Sequence, residues 1–214
     1  MFFFIHTNIY NMQYLKLFEN FNNDVLIIVD VQKSFRKFFT EMYLNELKKY
    51  CENFSEVYQL WDNHVDGKNV DKDYLFDNNP DIPVHNDLYN FPNQKDIIEK
   101  RYNYDVDVDF YKKILDKETY DLLKSKEDSN GLKRGDLFKT KEDTALVYIG
   151  NNHKWFQVPK KLYNLFQKLR GKEVTIVGGA DSECLSDVLT AAESMGVNIK
   201  RDWKFIYTAT SCPI

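Results

Sequence analysis

Apolar positions along this chain fall into two alternating patterns. Short runs rich in β-branched residues read as strands buried on both faces. Longer stretches with apolar residues three or four apart read as helices. The first run, Asp24-Val-Leu-Ile-Ile-Val-Asp30, ends on a carboxylate. Phe39 to Phe54 follows, with Met42, Leu44, Leu47, Tyr50, Cys51 and Phe54 at helical spacing. Glu56-Val-Tyr-Gln-Leu-Trp61 reads as a second strand, again ending at an acid, Asp62. Asn63 to Gln94 is rich in Asn, Asp and Pro and predicts a loop. Asp96 to Tyr102 reads as a strand, Asp109 to Lys126 as a helix, and Asp128 to Asp136, with two glycines, as a turn region. Thr144 to Ile149 predicts a strand halted at Gly150. Pro159 sits in the first turn of a helix that runs through Leu169 and is closed by Gly171. Val174 to Val177 predicts the next strand and Cys184 to Met195 the next helix, ended by Gly196. Val197 to Lys200 and Lys204 to Tyr207 read as two late strands.

Strands that alternate with helices pair in parallel through right-handed crossovers. The expectation is an α/β fold: three layers, α/β/α, around a central, mostly parallel sheet. Residues 24–214 read as one domain and residues 1–23 as an N-terminal arm or helix, with Met12 as an alternative start to Met1. In open parallel sheets, sites gather at the carboxyl ends of the strands. Asp30, Asp62 and the segment from Gly178 to Cys184 all fall at such ends.

Composition narrows the function classes. Hydrophobic residues make up 43% of 214, enough for a sizeable core. A net charge of −4, with Lys and Arg dispersed among Asp and Glu, offers no basic face for nucleic acid. Three cysteines, Cys51, Cys184 and Cys212, are too few and odd in number for a disulfide framework, which favours a reducing, cytoplasmic setting. The apolar start, Met1 to His6, is too short for a membrane span and lacks the features of a signal peptide. Gly178-Gly179 is too short for a dinucleotide-binding fingerprint. A small molecule is the expected partner, with no nucleic acid and no membrane.

The run from Val174 to Leu185 carries the most chemistry, because it delivers Cys184 to the start of a helix. A helix N-terminus offers unpaired N–H groups and positive potential, which stabilise a thiolate and, later, an oxyanion. Asp30 is placed to accept the thiol proton, and the backbone N–H groups of Ala180 and Cys184 to hold an oxyanion. The same residues also fit structural roles, Cys184 as a small buried apolar group and Asp30 as a helix cap. Asp62-Asn-His64 with the later His85 forms a second constellation. Carboxylate and imidazole together suit one divalent metal such as Zn, Fe or Mn, or else they cap a loop. His153, Trp155 and Phe156 read either as pocket lining or as core packing. Cys51 and Cys212 read as structural.

Three segments together, Val29-Asp-Val-Gln-Lys-Ser-Phe35, the Gly178/Ala180/Cys184 spacing and Thr190-Ala-Ala-Glu-Ser-Met-Gly196, resemble the isochorismatase-like cysteine hydrolases, which include the nicotinamidases. The resemblance covers residues 24–62 and 144–209. It implies a Cys–Asp–Lys triad with Cys184 and Asp30 in two of the roles, and a cis peptide at Gly179–Ala180. It also implies a metal held by Asp62, His64 and His85, although Asn86 stands where a cysteine often follows the histidine. The lysine stays open between positions. By motif it is Lys100, in Ile97-Ile-Glu-Lys-Arg-Tyr102, which makes residues 105–143 an insertion. By chain order the strand before the Val174 helix is Ala145 to Ile149, which ends at Gly150 between Lys139 and Lys154 and would leave one of those lysines, or none, in the role. The implied activity is hydrolysis of a C–N bond in a small amide through a thioester, with nicotinamide the most specific candidate. The competing class is a binding or assembly module that keeps the fold without catalysis. A homo-oligomer whose neighbouring chain supplies the lysine is a third possibility.

Overall fold

A computed structural model describes residues 24–62, 88–103, 108–142, 144–150 and 154–208. In chain order its regular elements begin with β1 (Val25–Val29), a 3-10 turn (Lys33–Phe38), α1 (Glu41–Cys51), β2 (Glu56–Asp62) and β3 (Gln94–Asn103). Next come α2 (Val108–Ile114), α3 (Lys117–Asp128), β4 (Leu137–Lys139), β5 (Ala145–Gly150) and β6 (Lys154–Val158). The last are α4 (Lys160–Leu169), β7 (Glu173–Gly178), a π turn (Asp181–Leu185), α5 (Ser186–Ser194) and β8 (Asn198–Ile206).

All five residues of β1 are buried, as an unbroken β-branched run requires of a central strand. It pairs in parallel with β2 on one side and β7 on the other. β3 extends the parallel set beyond β2, and β8 beyond β7. The two faces of β1 are covered by different helices. Val25, Ile27 and Val29 pack with Leu162, Leu165 and Phe166 of α4 and Val188, Ala191 and Ala192 of α5. Leu26 and Ile28 pack with Leu44, Leu47 and Cys51 of α1. The protein is therefore an α/β structure, a five-stranded parallel sheet flanked by helices on both faces.

Three antiparallel strands enlarge that sheet, giving the order β4-β5-β6-β3-β2-β1-β7-β8. Here the structure departs from the sequence reading. The run Ala145 to Ile149 does not join the parallel set; it forms β5, and β6, whose Trp155 and Phe156 read in the sequence either as pocket lining or as core packing but not as a strand, lies between β5 and β3. The predicted helix over 109–126 is two helices. Asp116 ends the first and caps the second, its carboxylate accepting from the Thr119 N–H at 2.8 Å. With β4 to β6 they enclose a separate apolar cluster of Tyr111, Leu115, Leu123, Phe138, Leu146 and Trp155. Arg134 ties this added unit to α5, donating to the Thr190 hydroxyl at 3.0 Å and to Asp187 at 3.1 Å. Pro159 is the N-cap of α4, one place earlier than expected. The two predicted late strands are one continuous edge strand, β8, whose middle is open to solvent. The arm expected over residues 1–23 lies outside the described residues. Among the described residues, no helix is long and apolar enough to cross a membrane.

Candidate active site

Register brings the expected residues to one edge. Val29 is opposite Gly178, and the Gly179 N–H donates to the Val29 carbonyl at 3.0 Å. Asp30 N–H donates to the Leu60 carbonyl at 2.9 Å, and Asp62 is opposite Lys100. Asp30, Gly179, Asp62 and Lys100 thus stand side by side where the parallel strands end. Asp30 takes φ 55°, a left-handed conformation that aspartate tolerates better than most residues and that turns the chain out of β1. Lys100 reaches past the end of β2, and its Nζ lies 2.9 Å from Asp30 Oδ2. Neither side chain is open to solvent, at 0% and 1% exposure. Of the lysines left open by the sequence, Lys100 is the one that meets Asp30. Lys139 is exposed on β4, at the far edge of the sheet, and Lys154 begins β6. Gly150 ends an antiparallel strand and is not at a parallel strand end.

The cysteine arrives from the other side of β1. Gly178 has φ 103°, and a side chain there would run into the Val29 backbone. At Gly179 a side chain would enter the ring of Tyr207. Two glycines are therefore needed for the chain to leave β7 so close to β1. The Gly179–Ala180 peptide is cis, where the sequence resemblance places one. The Leu185 N–H then donates to the Ala180 carbonyl at 3.1 Å, closing the π turn that holds Cys184, half-buried, against the start of α5.

Two further residues, not singled out in the sequence, fix the chain at Asp30. The Tyr207 hydroxyl donates to the Asp30 carbonyl at 2.8 Å. The amide of Gln59, fully buried on β2, donates to the next carbonyl, that of Val31, at 3.1 Å. Tyr207 also binds the opposite segment: its N–H donates to the Gly178 carbonyl at 3.0 Å, and its carbonyl accepts from Asp181 at 3.1 Å. Burial pushes the Tyr207 hydroxyl far above the usual phenol range, and the neighbouring acids Asp30, Tyr43 and Cys184 push it further.

Asp62 is placed by its main chain alone, and His64 and His85 lie outside the described residues. Among the described residues no three His, Cys, Asp or Glu side chains gather as a metal site. His153 also lies outside them. Trp155 and Phe156, two residues considered for a pocket, are buried at 1% and 0% exposure and belong to the core. Asp30 does not cap the following turn; Gln32 holds that place. Cys51 is buried in the α1 core and its thiol is pushed up to about 12 by burial. Cys212 lies outside the described residues.

Compared with models of known protein families, with curated proteins and with solved structures, the chain matches none.

Proposed function

We propose that this protein is a cysteine hydrolase of the isochorismatase-like kind, cleaving a C–N bond in a small amide. The single observation that carries the reading is the buried Lys100–Asp30 ion pair beside the turn that presents Cys184. An ion pair with no solvent contact gains little for stability over apolar packing, so its presence where the parallel strands end favours a chemical role.

In this reading Cys184 gives its thiol proton to Asp30, and its sulfur attacks the amide carbon. The carbonyl oxygen gains charge and is held by the N–H groups of Ala180 and Cys184. The C–N bond breaks as Asp30 returns the proton to the leaving amine, which leaves a thioester on Cys184. Water, deprotonated by Asp30, attacks the thioester carbon. The C–S bond breaks, the acid departs and the sulfur regains its proton. The net reaction is amide plus water to acid plus amine. Lys100 keeps Asp30 ionised and oriented between these transfers. Nicotinamide is the first substrate to test, because Asp62, His64 and His85 follow the nicotinamidase metal pattern; no step above is routed through a metal.

The test is amine or ammonia release from a panel of small amides, nicotinamide first. Turnover is expected in the wild type and is lost in Cys184→Ala, with a covalent adduct at Cys184 seen by mass spectrometry under acid quench. Turnover that survives Cys184→Ala overturns the mechanism. An inert panel, with Cys184 alkylated no faster than Cys51, instead selects the binding-module class.

A further inference from the structure

We infer that Tyr207 is a positioning residue that locks Asp30 to the turn carrying Cys184; the inference rests on the cysteine-hydrolase reading and adds a residue to it. Asp30 lies 177 residues before Tyr207 in the chain, yet the tyrosine hydroxyl holds its carbonyl at 2.8 Å in a buried setting. A buried carbonyl needs such a donor, and a residue at φ 55° keeps that conformation only if its surroundings hold it there. The same tyrosine reaches the other half of the site through its main chain, bonded to Gly178 and to Asp181. Its ring fills the space that only a glycine at 179 leaves open. Phe38 stacks on that ring at 6.1 Å and 7°, and Phe39 tilts against it at 5.6 Å. One residue therefore spans the site: its side chain meets the carboxylate segment and Gly179, and its main chain bonds the turn that carries Cys184. Without the hydroxyl, the Asp30 carbonyl loses its donor, and the segment is left to the Leu60, Gln59 and Lys100 contacts, so the carboxylate is held less firmly. Misplacement of a catalytic group by about an ångström costs on the order of a hundredfold in rate, so a partial release costs less.

The experiment follows iodoacetamide alkylation of Cys184 across pH in the full chain, together with kcat and KM on whichever amide the panel identifies. In Tyr207→Phe, alkylation of Cys184 at pH 7 is expected to slow about tenfold and its pH profile to move upward, while kcat falls with KM nearly unchanged. The control is Tyr43→Phe, which loses a similar bond, from the Tyr43 hydroxyl to the Phe205 carbonyl at 2.9 Å, and leaves the profile in place. Protection of Cys51 reports that each variant is folded. If Tyr207→Phe unfolds, Tyr207 replaced by 4-methylphenylalanine fills the same volume without a donor and must give the same slowing. A profile unchanged in the donor-free variant, or moved equally in Tyr43→Phe, overturns the inference. A wild type whose Cys184 reacts no faster than glutathione at pH 7 overturns the hydrolase reading instead, so the two failures are told apart.

Discussion

Lys100 and Asp30 meet at 2.9 Å although β2 separates the strands that carry them. Both charges have left water, so each depends on the other.

Removal of one partner strands the other charge in the interior. Lys100→Met is expected to cost about 3–5 kcal/mol of stability, and Asp30→Asn a similar amount. The double variant Lys100→Met with Asp30→Asn removes both charges and is expected to recover much of that loss while staying inactive. Urea unfolding of the three variants checks this. A double variant as unstable as the sum of the singles would mean that the two charges do not depend on each other.

Cys51 and Cys184 differ in setting and should differ in reactivity. Burial holds the Cys51 thiol up at about 12, so almost none of it is thiolate near neutral pH. Cys184 is half-buried at the start of α5, where N–H groups favour a thiolate. Iodoacetamide at pH 7.5 is expected to modify Cys184 first and to reach Cys51 only once the chain unfolds. Peptide mapping by mass spectrometry reads the order directly.

A pH effect on stability follows from Glu56. Lys168 Nζ lies 3.0 and 2.7 Å from its two oxygens, and the Tyr58 hydroxyl donates to it at 2.6 Å. The Lys168 ammonium first, then the Tyr58 hydroxyl, hold the carboxyl below the usual range. A carboxyl lowered in the folded state adds stability above its unfolded value, about pH 4.3, and loses it as pH falls through the folded value. Lys168 is half-exposed, so solvent limits the pair to about 0.2–1 kcal/mol. Glu56→Gln should therefore be slightly less stable than wild type at pH 7, with a gap that narrows below about pH 4 and shrinks in high salt. Denaturant midpoints across pH test the sign.

The parallel sheet was legible because its central strands are buried on both faces. The run of β1 is an unbroken apolar stretch and that of β7 is broken only by Thr175, a pattern that few other elements produce, whereas β2 carries a buried polar Gln59 between its apolar residues. The site residues were legible where a strand ends on a charge, as at Asp30, or where glycines precede a helix, as at Gly178. Other features carried weaker signals. β4 has three residues, too few for a period, and β6 follows Gly150-Asn-Asn, which reads as a stop. The break at Asp116 sits inside a continuous helical spacing and shows only through its cap. Tyr207 could not be picked out, because its role arises when β8 ends beside β7, within reach of a carbonyl far away in sequence.

Three glycines with positive φ or crowded neighbours allow a graded test of the turn that carries Cys184. At Gly178 an added methyl meets the Val29 backbone, and φ is 103°. β1 is the central strand and cannot withdraw, so Gly178→Ala is expected to cost about 3 kcal/mol or more, or to prevent folding. At Gly179 the methyl meets the Tyr207 ring, a side chain whose displacement disturbs the Asp30 carbonyl bond but not the central strand. Gly179→Ala should cost about 1–3 kcal/mol and also slow alkylation of Cys184. Gly150 has φ 80° with nothing within 4 Å of an added methyl, so Gly150→Ala meets backbone strain alone, about 1–2 kcal/mol, and leaves Cys184 unaffected. The expected pattern in urea midpoints is the largest loss at 178. In reactivity, 179 should separate from 150 even where their stabilities are similar. Equal Cys184 reactivity in Gly179→Ala and Gly150→Ala would show that the tyrosine ring does not govern the cysteine turn.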